Sequence, residues 1–137
     1  MNDLSFLIGE WRGDGRVGDD RVTASVRAAS RADGALVLDH VTHREGAADH
    51  RERIVLREQR GRVRAFIRPE GGAEQEFQAA EAVAGFRFTR SDPRLGFLAW
   101  EIAPEGDDAF LERFLVGEAS VAETVVSLRH ERVKAST

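Results

Sequence analysis

The sequence contains no cysteine and no tyrosine, and only one methionine, one lysine and three prolines among its 137 residues. Without cysteine there is no disulfide, no thiolate nucleophile, no CxxC redox pair and no zinc site built on sulfur. No apolar run approaches the roughly 20 residues that a membrane-spanning helix needs. The stretch Met1 to Arg12 lacks the basic start and long apolar core of a secretion signal, so a cytoplasmic protein without membrane contact is expected. Charge of one sign is also missing. Lys plus Arg number 20 against 24 Asp plus Glu, a net −4, which lacks the basic excess of a nucleic-acid binder. Lys134 stands alone beside 19 arginines. Arginine is therefore this chain's default cation, and a group of arginines by itself says little about partners.

What is present is a 42% hydrophobic content, enough for one domain spanning 1–137. A chain of this length buries roughly 65–70% of its unfolded surface and needs no metal or disulfide to fold. After Asp3-Leu4-Ser5-Phe6-Leu7, a short helical turn, the pattern alternates with period two nearly to the end. Turn residues recur at Gly18-Asp19-Asp20, Ala32-Asp33-Gly34, Glu45-Gly46, Arg60-Gly61, Gly71-Gly72, Asp92-Pro93, Gly106-Asp107-Asp108 and Gly117-Glu118, the rhythm of an all-β meander. Ten strands are expected, near 10–17, 20–31, 35–44, 50–59, 62–69, 74–80, 83–91, 96–103, 109–117 and 120–134. Short connections make neighbours antiparallel, and closure into an up-and-down barrel removes the two exposed edges.

Directly opposed residues on paired strands share a face. A two-residue turn at Arg60-Gly61 therefore opposes Glu58 to Val63, Leu56 to Ala65 and Ile54 to Ile67. Carrying that parity backward puts Leu36, Leu38, His40 and Thr42 inside, then Val22, Ala24, Val26, Ala28 and Ser30. The other face collects Arg53, Val55, Arg57, Arg64, Phe66 and Arg68 and points to water. In the second half, one register opposes Glu101 to Glu112; a one-residue shift opposes Glu101 to Arg113 and Trp100 to Phe114, which is better electrostatically. Ala122, Thr124, Val126 and Leu128 are read as inward, with His130 and Arg132.

Candidate chemistry is sparse. Gly13-Asp14-Gly15-Arg16-Val17-Gly18 matches GxGxxG, but a dinucleotide site needs a helix next, and Arg21 to Val26 reads as a strand. His40 and His43 face opposite sides of one strand and cannot share a metal. With His50 they flank a polar loop, and no metal site is expected. His40 and His130 both point inward. The arginine face around Phe66 reads as solvated surface, and no serine lies in a GxSxG turn.

Gly9-x-Trp11-x-Gly13-x-Gly15, entered from the short helical turn, resembles the opening of calycin-type barrels and the G-x-W-x-G-x-G of nitrobindin-like haem-binding barrels. The segments from Arg62 to Gly72, Glu76-Phe77, Ser91-Asp92-Pro93 and Trp100-Glu101-Ile102 are similar to bacterial lipocalin-like domains. The likeness implies a calycin-like barrel of about ten strands. Trp11 would plug its closed end, Gly9 and Gly13 would give the indole room, and Arg132 or Arg129 would cover it through a cation–π contact. The nitrobindin likeness also implies haem with an axial His on the last strand and chemistry on nitric oxide or peroxynitrite. Val125 to Ser127 stand where that His falls, and His130 lies three to five residues later.

The expected function is binding of a small apolar or amphipathic ligand in the barrel, with His40, Phe86, Phe88, Trp100 and His130 near the cavity and no cofactor required. Alternatives are a haem-dependent isomerase using His130, a cofactor-free cyclase or isomerase, and a filled barrel that contacts proteins through its surface. A homodimer stays open.

Overall fold

The computed structural model describes residues 2–82, 84–118 and 122–134. A 3-10 turn, Asn2–Leu7, leads into β1 (Gly9–Val17), β2 (Asp20–Ser30), β3 (Leu36–His43), β4 (His50–Gln59) and β5 (Arg62–Pro69). These are followed by β6 (Gln75–Ala80), β7 (Phe86–Asp92), β8 (Gly96–Glu105), β9 (Ala109–Gly117) and β10 (Glu123–Arg132). Sequential strands pair, and β10 returns to β1, so the sheet closes into a ten-stranded antiparallel barrel. This architecture is compatible with the calycin-like expectation. Val83, Ser120 and Val121, which fall in the expected strands 83–91 and 120–134, lie outside the described residues, as do residues 135–137. Among the described residues no helix is long and apolar enough to cross a membrane.

The local reason for the strands is alternation. In β2 the inward set Val22, Ala24, Val26 and Ala28 is buried while its neighbours are exposed. The β4–β5 hairpin pairs Glu58 with Val63, Leu56 with Ala65 and Ile54 with Ile67, as the two-residue turn requires. Arg60 and Gly61 both adopt positive φ, 53° and 77°, the backbone of a type I′ turn. In the second half Glu101 opposes Arg113 and Trp100 opposes Phe114, and Arg113 also forms an ion pair with Glu101.

Two inward assignments change. Ser30 is exposed at the end of β2. Thr124 is exposed because a bulge between Thr124 and Val126 inserts Val125 into the β9–β10 ladder. The extra residue reverses the parity on its far side.

Every strand runs between the two ends of the barrel, one closed and one open. At the closed end Leu4 and Leu7 are buried, and the Trp11 indole N–H donates to the Leu7 carbonyl at 2.8 Å. Arg132 lies over the Trp11 ring, 4.2 Å from its centroid, and donates to the carbonyls of Ile8 and Phe6 at 2.7 and 2.8 Å. The glycines of β1 do not serve the indole. A Cβ at Gly9 would meet the Arg132 guanidinium, one at Gly13 the His130 ring, and one at Gly15 the β10 backbone at Ser127 and Leu128. The three alternate positions thus give β10 its close approach to β1.

On the outer face Arg53, Arg57 and Arg64 each pair with an acid, Asp39, Asp33 and Glu76 respectively. The arginine face is a lattice of exposed ion pairs.

Candidate functional site

The open half of the barrel encloses a cavity of about 350 Å³. Its walls are mainly apolar, with Val22, Ile54, Ile67, Phe114 and Val126, while Arg44, His50 and Glu52 supply charge. His40 and Thr42 from β3, Trp100 from β8 and Glu112 from β9 also line it.

Glu112 is the centre of this group. Its side chain faces inward on the β9 face that carries Phe110 and Phe114, and it is only 5% exposed. Oε1 lies 2.7 Å from His40 Nε2 and 2.8 Å from His130 Nε2. Oε2 accepts the Trp100 indole N–H at 2.7 Å. A carboxylate can only accept, so in this arrangement both imidazoles carry a hydrogen on Nε2. Their Nδ1 atoms are buried without a hydrogen-bond partner among the described residues. The cluster joins β3, β8, β9 and β10, and His40 and Glu112 are 72 residues apart in sequence.

Burial opposes charge on both Glu112 and His40, yet each shifts toward its charged form. For Glu112 the raising effect of burial is overcome by the His40 charge and the hydrogen bonds from His130 and His40, which hold the carboxyl far below the usual range. For His40 the lowering effect of burial is overcome by the charge and hydrogen bond of Glu112, with Glu52 adding to them, and its pKa rises.

The expected site residues separate into two groups. His40 and Trp100 line the cavity. Phe88 stacks behind Trp100 at 5.4 Å, and Phe86 stacks on Phe6 at 6.1 Å at the closed end. His130 is fully enclosed, stacked on Phe110 at 4.4 Å, with Nε2 turned to Glu112 and Nδ1 toward Gly13. It presents no ring nitrogen to the cavity. His130, so enclosed, is not placed to serve as an axial haem ligand in the cavity.

Glu112 is absent from the expected set. Its signal was parity: once Trp100 opposes Phe114, Glu112 falls on the inward face opposite Ile102. A carboxylate between two inward phenylalanines needs a partner, and strand β9 alone does not say which.

The fold and this site define a closed antiparallel barrel with a largely apolar cavity and a buried imidazole–carboxylate cluster at its side. No protein-family model and no curated protein matches the chain.

Proposed function

We propose that the barrel binds a small amphipathic molecule, its apolar part against Val22, Ile54, Ile67 and Val126 and its polar end toward His40 and Glu112. One observation carries the reading: a cavity of about 350 Å³ with mainly apolar walls, in which His40, Glu112 and Trp100 are joined by hydrogen bonds. Ligand cavities have this composition, and their volumes run from roughly 300 to 1,000 Å³. The likeness of Gly9-x-Trp11-x-Gly13-x-Gly15 to calycin-type openings supports it.

A cofactor-free isomerase or cyclase is the second reading, favoured by the placement of His40. It borders the cavity with a carboxylate hydrogen-bonded to it, the pairing of a proton-transferring imidazole with the group that orients it.

The test is titration with anilinonaphthalene sulfonate, followed by fluorescence, together with native mass spectrometry of protein purified without added ligand. Saturable one-to-one binding that is abolished in a folded Val126→Trp variant is the expected result. Failure to bind, or binding that survives Val126→Trp, overturns the cavity reading.

A further inference from the structure

Two imidazoles and one carboxylate are buried together at the junction of β3, β9 and β10. Hydrogen bonding alone accounts for only part of this arrangement. Both rings turn the same edge, Nε2, toward a single oxygen, while both Nδ1 atoms are left without partners. Burying three ionisable groups is costly, and apolar residues of similar volume would often serve stability as well or better. Convergence of two Nε2 atoms and a carboxylate oxygen, all within 4.8 Å of one another, is instead the donor set of two-His-one-carboxylate metal centres.

We propose that His40, Glu112 and His130 bind one divalent transition-metal ion of the zinc, cobalt or iron(II) type, through the two Nε2 atoms and the Glu112 carboxylate. Both Nε2 atoms carry a hydrogen in the metal-free cluster, so binding requires each to give it up: a neutral ring shifts to its Nδ1–H tautomer, and a charged ring releases its Nε2 proton to solvent. Neutral imidazole with a carboxylate then suits these ions, and the absence of thiolate disfavours copper(I). Metal–ligand bonds near 2.0–2.2 Å in a tetrahedral arrangement separate neighbouring donor atoms by about 3.3 Å. The present N···O spacings of 2.7 and 2.8 Å therefore open by roughly half an ångström on binding. The Glu112 side chain can supply this by rotation, since it borders the cavity. Trp100, which donates to Oε2, then holds the carboxylate from outside the coordination shell, as outer partners of metal-binding groups do.

His40 and Glu112 border the cavity while His130 lies behind them. The ion therefore enters from the cavity and keeps a coordination position open on that side. One carboxylate against a dication leaves a net positive site, so the open position takes an oxygen donor: water, or a carboxylate, enolate or hydroxyl group. The ion sits within the cluster and the inference stands whether or not the cavity holds an amphipathic molecule.

The experiment is titration of chelator-treated full-length protein with cobalt(II), read by visible absorption, and X-ray absorption of the zinc-loaded form. One cobalt per chain, displaceable by zinc, and two imidazoles at about 2.0–2.1 Å from zinc are expected. Affinity should fall by more than about 100-fold in Glu112→Gln and His40→Gln, beyond the roughly 10–100-fold that losing an outer partner of a metal ligand costs, and should be unchanged in His43→Ala, which removes an exposed imidazole. If the ligand variants fail to fold, the imidazole count in the unaltered protein decides. Absence of stoichiometric binding, a count other than two, or loss of binding in His43→Ala overturns the proposal. Fluorescent-ligand binding without metal binding would do so while leaving the cavity reading intact.

Discussion

Gly13 shows how one absent side chain sets the position of a buried group. It faces inward on β1 opposite His130 on β10, and a Cβ there would strike the His130 ring. Because that ring is enclosed and stacked on Phe110, it cannot turn aside without disturbing the contact with Glu112. Gly13→Ala is therefore expected to destabilise the fold by about 1–3 kcal/mol, the usual range for overpacking, measured by urea unfolding. Gly15→Ala should cost more, since the obstacle is the Ser127 and Leu128 backbone. The G-x-W-x-G-x-G pattern was legible in the sequence, but its purpose was not. The sequence suggested room for the indole of Trp11; the pairing of β1 with β10 makes it room for Arg132, His130 and a neighbouring strand.

At the scale of elements, the β4–β5 hairpin is the part most fully written in local sequence. Arg60-Gly61 between two alternating runs specifies both the turn and the register. Arg60 is the one described non-glycine residue with positive φ, a conformation that costs an L-residue roughly 1–2 kcal/mol. Asparagine tolerates it better and is favoured at this position of a type I′ turn. Arg60→Asn should accordingly stabilise the protein by about 0.5–1 kcal/mol, seen as a raised urea midpoint with an unchanged slope. The β9–β10 hairpin was less legible. Its bulge at Val125 moves Thr124 to the outer face, and nothing in the alternation of Ala122, Thr124 and Val126 announces the extra residue. A bulge is set by how a strand meets its partner, here with Gly18 N–H donating to the Val125 carbonyl at 2.9 Å.

At the scale of the whole molecule, closure brings His40, Glu112 and His130 into one cluster, and the cluster couples stability to pH. The Glu112 carboxyl titrates below its ordinary 4.5 in the folded protein. Its contribution is thus complete above that value and fades as pH falls through the lower folded pKa. His40 is raised above its ordinary 6.5, so its contribution is complete below 6.5 and is lost as pH rises through the folded pKa. The two windows overlap between pH 4.5 and 6.5. In metal-free protein, the stability difference between the unaltered chain and Glu112→Gln should be greatest in that interval and shrink toward pH 3 and toward alkaline pH. Chemical denaturation across pH checks this. A difference that stays constant with pH would show that Glu112 contributes by shape alone.

The sequence by itself determined the strands, their turns and, through β2 to β5 apart from the strand end at Ser30, which side of each faces inward, because period-two alternation and turn residues act over a few neighbouring positions. It placed His40 and His130 inside for the same reason, but left Glu101 between Glu112 and Arg113, a choice that the structure makes for Arg113. It did not bring together His40, Glu112, His130 and Trp100, nor divide the interior into a packed end under Trp11 and a hollow end beside Val22 and Val126. Those outcomes depend on how far each strand is displaced along its neighbour around a closed barrel. That displacement fixes which inward residues of distant strands share a level, and so where side chains fill the interior and where they leave space. Only the tertiary structure decides it.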